Sequence, residues 1–71
     1  MTKDERLRIS IYSAELSGFA YSLEKLALIE PNAYTEHIQD DKIAEYQASI
    51  NEAVIKINDI LSKHFSQKYN P

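Results

Sequence analysis

Apolar residues in the first third of the chain recur at steps that alternate three and four: Ile9, Tyr12, Leu16, Phe19, Leu23 and Leu26. This is the a/d spacing of a heptad seam, and it predicts a helix with one face turned to a partner helix. Leu7, Ile11, Ala14, Gly18, Tyr21 and Leu28 form a second series on a different side of the same helix, again in steps of three, four or seven. An ordinary surface helix buries one face and wets the other. A helix with two apolar faces calls for two things to pack against. Ser10, Ala14 and Gly18 lie four apart with Ser17 beside them, a shallow track along which another backbone can approach. Gly18 costs roughly 1 kcal/mol relative to alanine in a helix interior, a cost that close packing could offset.

The helix boundaries follow from local chemistry. Thr2 with Glu5 three residues on is the capping-box pattern, and Asp4 and Glu5 suit the positive end of a helix dipole. The first helix is therefore expected over about 3–30, closed by Pro31. Residues 31–40 carry Pro, Asn, Thr and Asp and read as a connector, with a short helical turn through Tyr34 and Ile38. A break is expected near Asp40, acting as N-cap; a second helix running unbroken from Asn32 is the alternative. The second helix is expected over about 41–65. Its seam is Ile43, Tyr46, Ile50, Ala53, Ile57, Ile60 and His64, widened by Val54 and Leu61. The polar tail 66–71 is expected to fray.

The predicted fold is all-α, a single domain over 1–71: an antiparallel hairpin of two long helices with a short helical turn in the connector. Each helix of about 25 residues spans about 37 Å. A lone hairpin of this length buries one stripe per helix and leaves the second stripe of helix one wet. Two-fold pairing of two hairpins into a four-helix bundle is the simplest closed solution. The alternative is that the connector covers the second stripe through Tyr34 and Ile38.

Composition narrows the partners. A 71-residue chain is marginal alone and contains no cysteine, so disulfides and zinc–thiolate sites are excluded and oligomerisation remains. The net charge of −3, with no basic block, argues against nucleic acid as the main partner. No apolar run reaches the roughly 20 residues that span a bilayer, and no secretory signal opens the chain. A cytoplasmic location is the default expectation.

Little in the chain is suited to catalysis. No glycine-rich loop is present to cradle a phosphate. His64 falls on the seam, where a histidine is a packed, hydrogen-bonded residue before it is a base. His37 with Asp40 or Asp41 offers two ligands on one turn, fewer than a metal site needs. The expectation is a non-enzymatic protein with no cofactor and no metal.

Two functional classes compete, with a third behind them. The first is an interaction module that regulates or inhibits a partner protein through Leu7, Ile11, Ala14, Gly18, Tyr21 and Leu28, a face equally suited to self-association as a dimer. The second is a dimeric nucleic-acid binder using Lys3, Arg6, Arg8 and Lys25. The third is a small-ligand-binding oligomer with tyrosines around a pocket. The opening of the chain and Leu23-Glu24-Lys25-Leu26 resemble, in architecture, the Rop-type RNA-binding hairpins of plasmids, which are antiparallel dimers of two-helix chains. Ser10, Ala14 and Gly18 stand where such hairpins present aromatic and amide side chains to RNA, and the connector here is longer. The likeness therefore implies a dimeric hairpin and does not extend to RNA recognition.

Overall fold

Thr2 starts the first helix. Its hydroxyl accepts the Glu5 amide at 3.1 Å, and the Glu5 carboxylate accepts the Thr2 amide at 2.9 Å. The pair satisfies two amides that the first turn would otherwise leave open. In the computed structural model, which describes residues 1–69, α1 runs Lys3–Ala27 and α2 runs Glu36–Tyr69. The two helices pack against each other as an all-helical hairpin.

α1 stops at Ala27 rather than near residue 30. Pro31 has no amide to donate to the Ala27 carbonyl, and it disfavours helical geometry at Glu30. The final turn tightens instead: the Leu28 amide donates to the Lys25 carbonyl at 3.3 Å and the Ile29 amide to the Leu26 carbonyl at 3.1 Å. Gln39, from the opposite helix, completes the cap. Its side-chain amide donates to the Leu26 carbonyl at 3.0 Å and the Ile29 carbonyl at 2.7 Å. A helix C-terminus leaves carbonyls without partners, and here one side chain takes up two acceptors at that end.

The expected break at Asp40 does not occur, and the start of α2 lies nearer the alternative of an unbroken helix from Asn32. Asn32 rather than Asp40 acts as the cap: its side-chain oxygen accepts the Tyr34 and Thr35 amides at 2.9 and 3.1 Å. The Thr35 hydroxyl returns the bond by accepting the Asn32 amide at 3.1 Å. The Asn32 carbonyl accepts the Glu36 amide at 3.0 Å, so the turn over 33–35 leads directly into α2. The other end differs as well. Residues 66–69, expected to fray, belong to α2, consistent with the good helix propensity of Gln and Lys. Asn70 and Pro71 lie outside the described residues.

The core is thin. The α1 seam residues Ile9 to Leu26 are half-buried, and no residue of α1 is fully buried. In α2, Ala53 and Ile60 are 3 % and 4 % exposed, the two buried residues of the described chain. The molecule is a rod of 58 × 18 × 14 Å with an accessible surface of 5609 Å². A compact monomer of this mass exposes about 4,500 Å², so the hairpin leaves roughly 1,000 Å² more in water. Pairs Asp4–Arg8, Glu52–Lys56 and Asp59–Lys63, each one helical turn apart, line the wet faces. Each supports its helix by about 0.3–0.5 kcal/mol. Among the described residues no helix is long and apolar enough to cross a membrane.

Candidate functional site

The two apolar series of α1 meet different surroundings. With Ile9, Leu16 and Leu23 at heptad position a and Tyr12, Phe19 and Leu26 at d, the second series falls at positions c and f. At about 100° per residue that is the side of α1 turned away from α2. The exposures agree: Leu7 is 57 % exposed, Ile11 47 %, Tyr21 60 % and Leu28 75 %, with Ala14 and Gly18 also exposed between them. The connector does not cover this face, since Tyr34 and Ile38 are themselves 85 % and 51 % exposed. No atom from the rest of the hairpin lies within 4 Å of where a Cβ on Gly18 would sit. Close packing inside the hairpin therefore does not account for this glycine. Lys25 Nζ sits 5.1 Å from the centre of the Tyr21 ring, which places one cation at the edge of the stripe.

The four basic residues considered for nucleic acid are not gathered into one face. Arg6 and Arg8 are two apart and point to nearly opposite sides of α1. Arg8 is held by Asp4 at 3.1 Å, Lys25 lies over Tyr21, and Lys3 is at the opposite end of α1 from Lys25, about 33 Å away along the axis. The tyrosines are dispersed too: Tyr12 is half-buried under Lys56, whose Nζ is 5.2 Å from the ring centre, and Tyr46 is half-buried in the seam. No three His, Cys, Asp or Glu side chains among the described residues are grouped so as to hold a metal ion. His37 is exposed; His64 is half-buried with its ring edge-on to Phe65 at 5.2 Å.

Among the described residues, the carboxyl of Glu5 has a lowered proton affinity. Glu5 is held below its ordinary value, first by the hydrogen bond from the Thr2 backbone amide, then by the Thr2 side chain, with small contributions from the N-terminal charge and His64. This is the electrostatics of a helix cap.

Two shallow grooves mark the junction of the helices. One, of about 80 Å³, lies between Glu15 and Phe19 on α1 and Ser49, Glu52, Ala53 and Lys56 on α2. The other, of about 170 Å³, lies at the tip, where Leu26, Ile29, Pro31 and Ile38 provide apolar walls. Neither has a tyrosine wall. Gln39 forms part of the tip groove, and periodicity in apolar residues does not reveal it. It stands four before Ile43 and seven before Tyr46, in phase with the seam, but it is polar. Compared with known protein families, curated proteins and solved structures, the chain matches none.

Proposed function

We propose that this protein is a non-enzymatic interaction module that regulates or inhibits a partner protein by binding it through the outer face of α1. The observation that carries the reading is the stripe of Leu7, Ile11, Tyr21 and Leu28, exposed on the side of α1 turned from α2 with Gly18 unpacked at its centre. Contiguous apolar surface of this kind marks contact sites, and aromatic side chains are favoured in them.

The second reading is that a second copy occupies this face; the thin core and the excess surface of roughly 1,000 Å² favour it, since standard interfaces bury about 800 Å² per partner. Pairing through this stripe has a different geometry from a closed bundle. Because the stripe is opposite the seam, two-fold pairing sets the four helices in a row, α2–α1–α1–α2, whereas a closed four-helix bundle leaves the stripe wet.

Gly18→Ala and Tyr21→Glu test the face together. Gly18→Ala removes a helix-interior glycine and is expected to stabilise the isolated hairpin by up to about 1 kcal/mol. At a tight contact, the added methyl weakens association while helicity rises. Tyr21→Glu abolishes association with helicity unchanged. Light scattering across concentration reads self-association, and pull-downs with wild type and variants side by side read a partner. Association that survives both changes rules this face out.

A further inference from the structure

We propose that the hairpin tip is a second docking site, specific for a basic amphipathic segment of another protein. Its aliphatic side chain enters the groove between Ile29 and Ile38, and its Lys or Arg side chains meet Glu30 and Asp41. This goes beyond the α1 face and does not depend on it.

Charge distribution is the first support. Residues 28–42 contain Glu30, Glu36, Asp40 and Asp41 against Lys42, a balance of −3 that equals the net charge of the whole chain. The rest of the sequence has seven basic and seven acidic residues. On the shaft many of these charges are paired along the helices. At the tip the one cation, Lys42, is taken by Glu45 at 3.4 Å, and none of the four carboxylates has an ion-pair partner among the described residues. The tip is thus a concentrated acidic pole on an otherwise balanced rod. Three of the carboxylates lie within the first two turns of α2, and Glu30 stands in the connector that leads to it.

Shape is the second support. The groove holds about 170 Å³ between the apolar side chains of Leu26, Ile29, Pro31 and Ile38, with Thr35, Gln39 and Lys42 completing its lining; the Lys42 charge is met by Glu45 at 3.4 Å. That volume is below the roughly 300 Å³ at which small-molecule pockets begin, and it suits one anchoring side chain. Ile29 and Ile38 are 60 % and 51 % exposed, and Tyr34, one turn before Ile38, is exposed as well. Glu30 stands between the groove residues Ile29 and Pro31, and Asp41 follows Ile38 by one helical turn. Apolar anchors flanked by cations are what an amphipathic basic helix presents to a groove. Charge also disfavours other occupants. A second copy docked tip to tip sets −3 against −3, and nucleic acid and anionic bilayers are repelled in the same way.

The test uses the full chain and two fluorescein-labelled model helices. One is built of leucine and lysine with leucines three and four apart; the other has glutamate in place of lysine. By fluorescence anisotropy the lysine peptide binds, and its affinity falls about tenfold between 20 and 300 mM salt. The glutamate peptide does not bind. Ile38→Ser weakens the lysine peptide about tenfold. The double variant Glu30→Gln with Asp41→Asn weakens it several-fold and flattens the salt dependence. These three residues are exposed, and circular dichroism checks that each variant keeps its helices. Tyr21→Glu leaves the affinity unchanged, which separates this site from the outer face of α1. The proposal is overturned if the lysine peptide does not bind, or if it binds both tip variants as well as wild type. It is also overturned if the Ile29 and Ile38 methyl resonances shift on raising protein concentration alone, which assigns the groove to a second copy. Partition onto neutral phospholipid vesicles that Ile38→Ser abolishes assigns it to a bilayer, with the same consequence.

Discussion

The inner and outer faces of α1 are built from nearly the same materials. Ile9, Tyr12, Leu16, Phe19, Leu23 and Leu26 face α2 and are half-buried; Leu7, Ile11, Tyr21 and Leu28 face away and are about half to three-quarters exposed. Hydrophobicity alone therefore does not say which residues hold the fold. What separates the faces is phase: one matches the seam of Ile43, Tyr46, Ile50, Ala53, Ile57 and Ile60, and the other has no counterpart in the chain. The inner face should govern stability, and the outer face should govern association.

The largest effect is expected where that division is tested directly. Ile60, 4 % exposed, sits in the most enclosed part of the seam. Ile60→Ala should cost roughly 3 kcal/mol, a large fraction of the stability of a domain this small. Tyr21→Ala removes a larger side chain from the outer face, yet in the isolated hairpin it should stay within about 0.5 kcal/mol of wild type. Urea denaturation at low protein concentration compares them. Equal losses would show that the outer face is already buried under those conditions, by a second copy. In that case the wild-type midpoint rises with protein concentration.

Gln39 sharpens the comparison, because it occupies a seam position without being apolar. Its amide bonds the Leu26 and Ile29 carbonyls, so its contribution is to close α1 and hold the connector against α2. Gln39→Ala should cost about 1 kcal/mol, and Gln39→Leu should not restore it, because the lost groups are hydrogen bonds rather than apolar surface. Hydrogen exchange should localise the loss to the amides around Leu28 and Ile29. A leucine as stable as the glutamine would mean that packing, and not capping, is what the position requires.

The same residue explains what the sequence made legible and what it did not. The seams of both helices, the Thr2–Glu5 cap and the hairpin could be read because apolar spacing and capping chemistry are local signals. Periodicity also picked out the second face of α1, but it says nothing of what covers that face. The break expected at Asp40 came from following Tyr34 and Ile38, which are out of phase with the seam. The in-phase residue is Gln39, invisible to a search for apolar positions. The Asn32–Thr35 cap was written in the sequence as plainly as the Thr2–Glu5 one, but Asp40 and Asp41 offered a competing start of equal quality. The choice between them was made by tertiary structure, through the bonds from Gln39 to the end of α1.

Glu5 is the counterpart of Gln39 at the far end of the rod, a polar residue four before Ile9 and so in phase with the α1 seam. Its effect should be the smallest of the three and visible only through pH. The Thr2 amide holds its carboxyl below the ordinary value of 4.5. A depressed affinity in the folded state means that the ionised group stabilises the helix start above that value. The contribution is lost as pH falls through the lower, folded one. Between pH 6 and pH 3 the wild-type hairpin should therefore lose helix at its N-terminus. Glu5→Gln keeps an acceptor for the Thr2 amide but cannot titrate, so its amides at the start of α1 should hold their protection over the same range. Identical pH profiles for the two proteins would mean that the cap does not depend on the charge of Glu5.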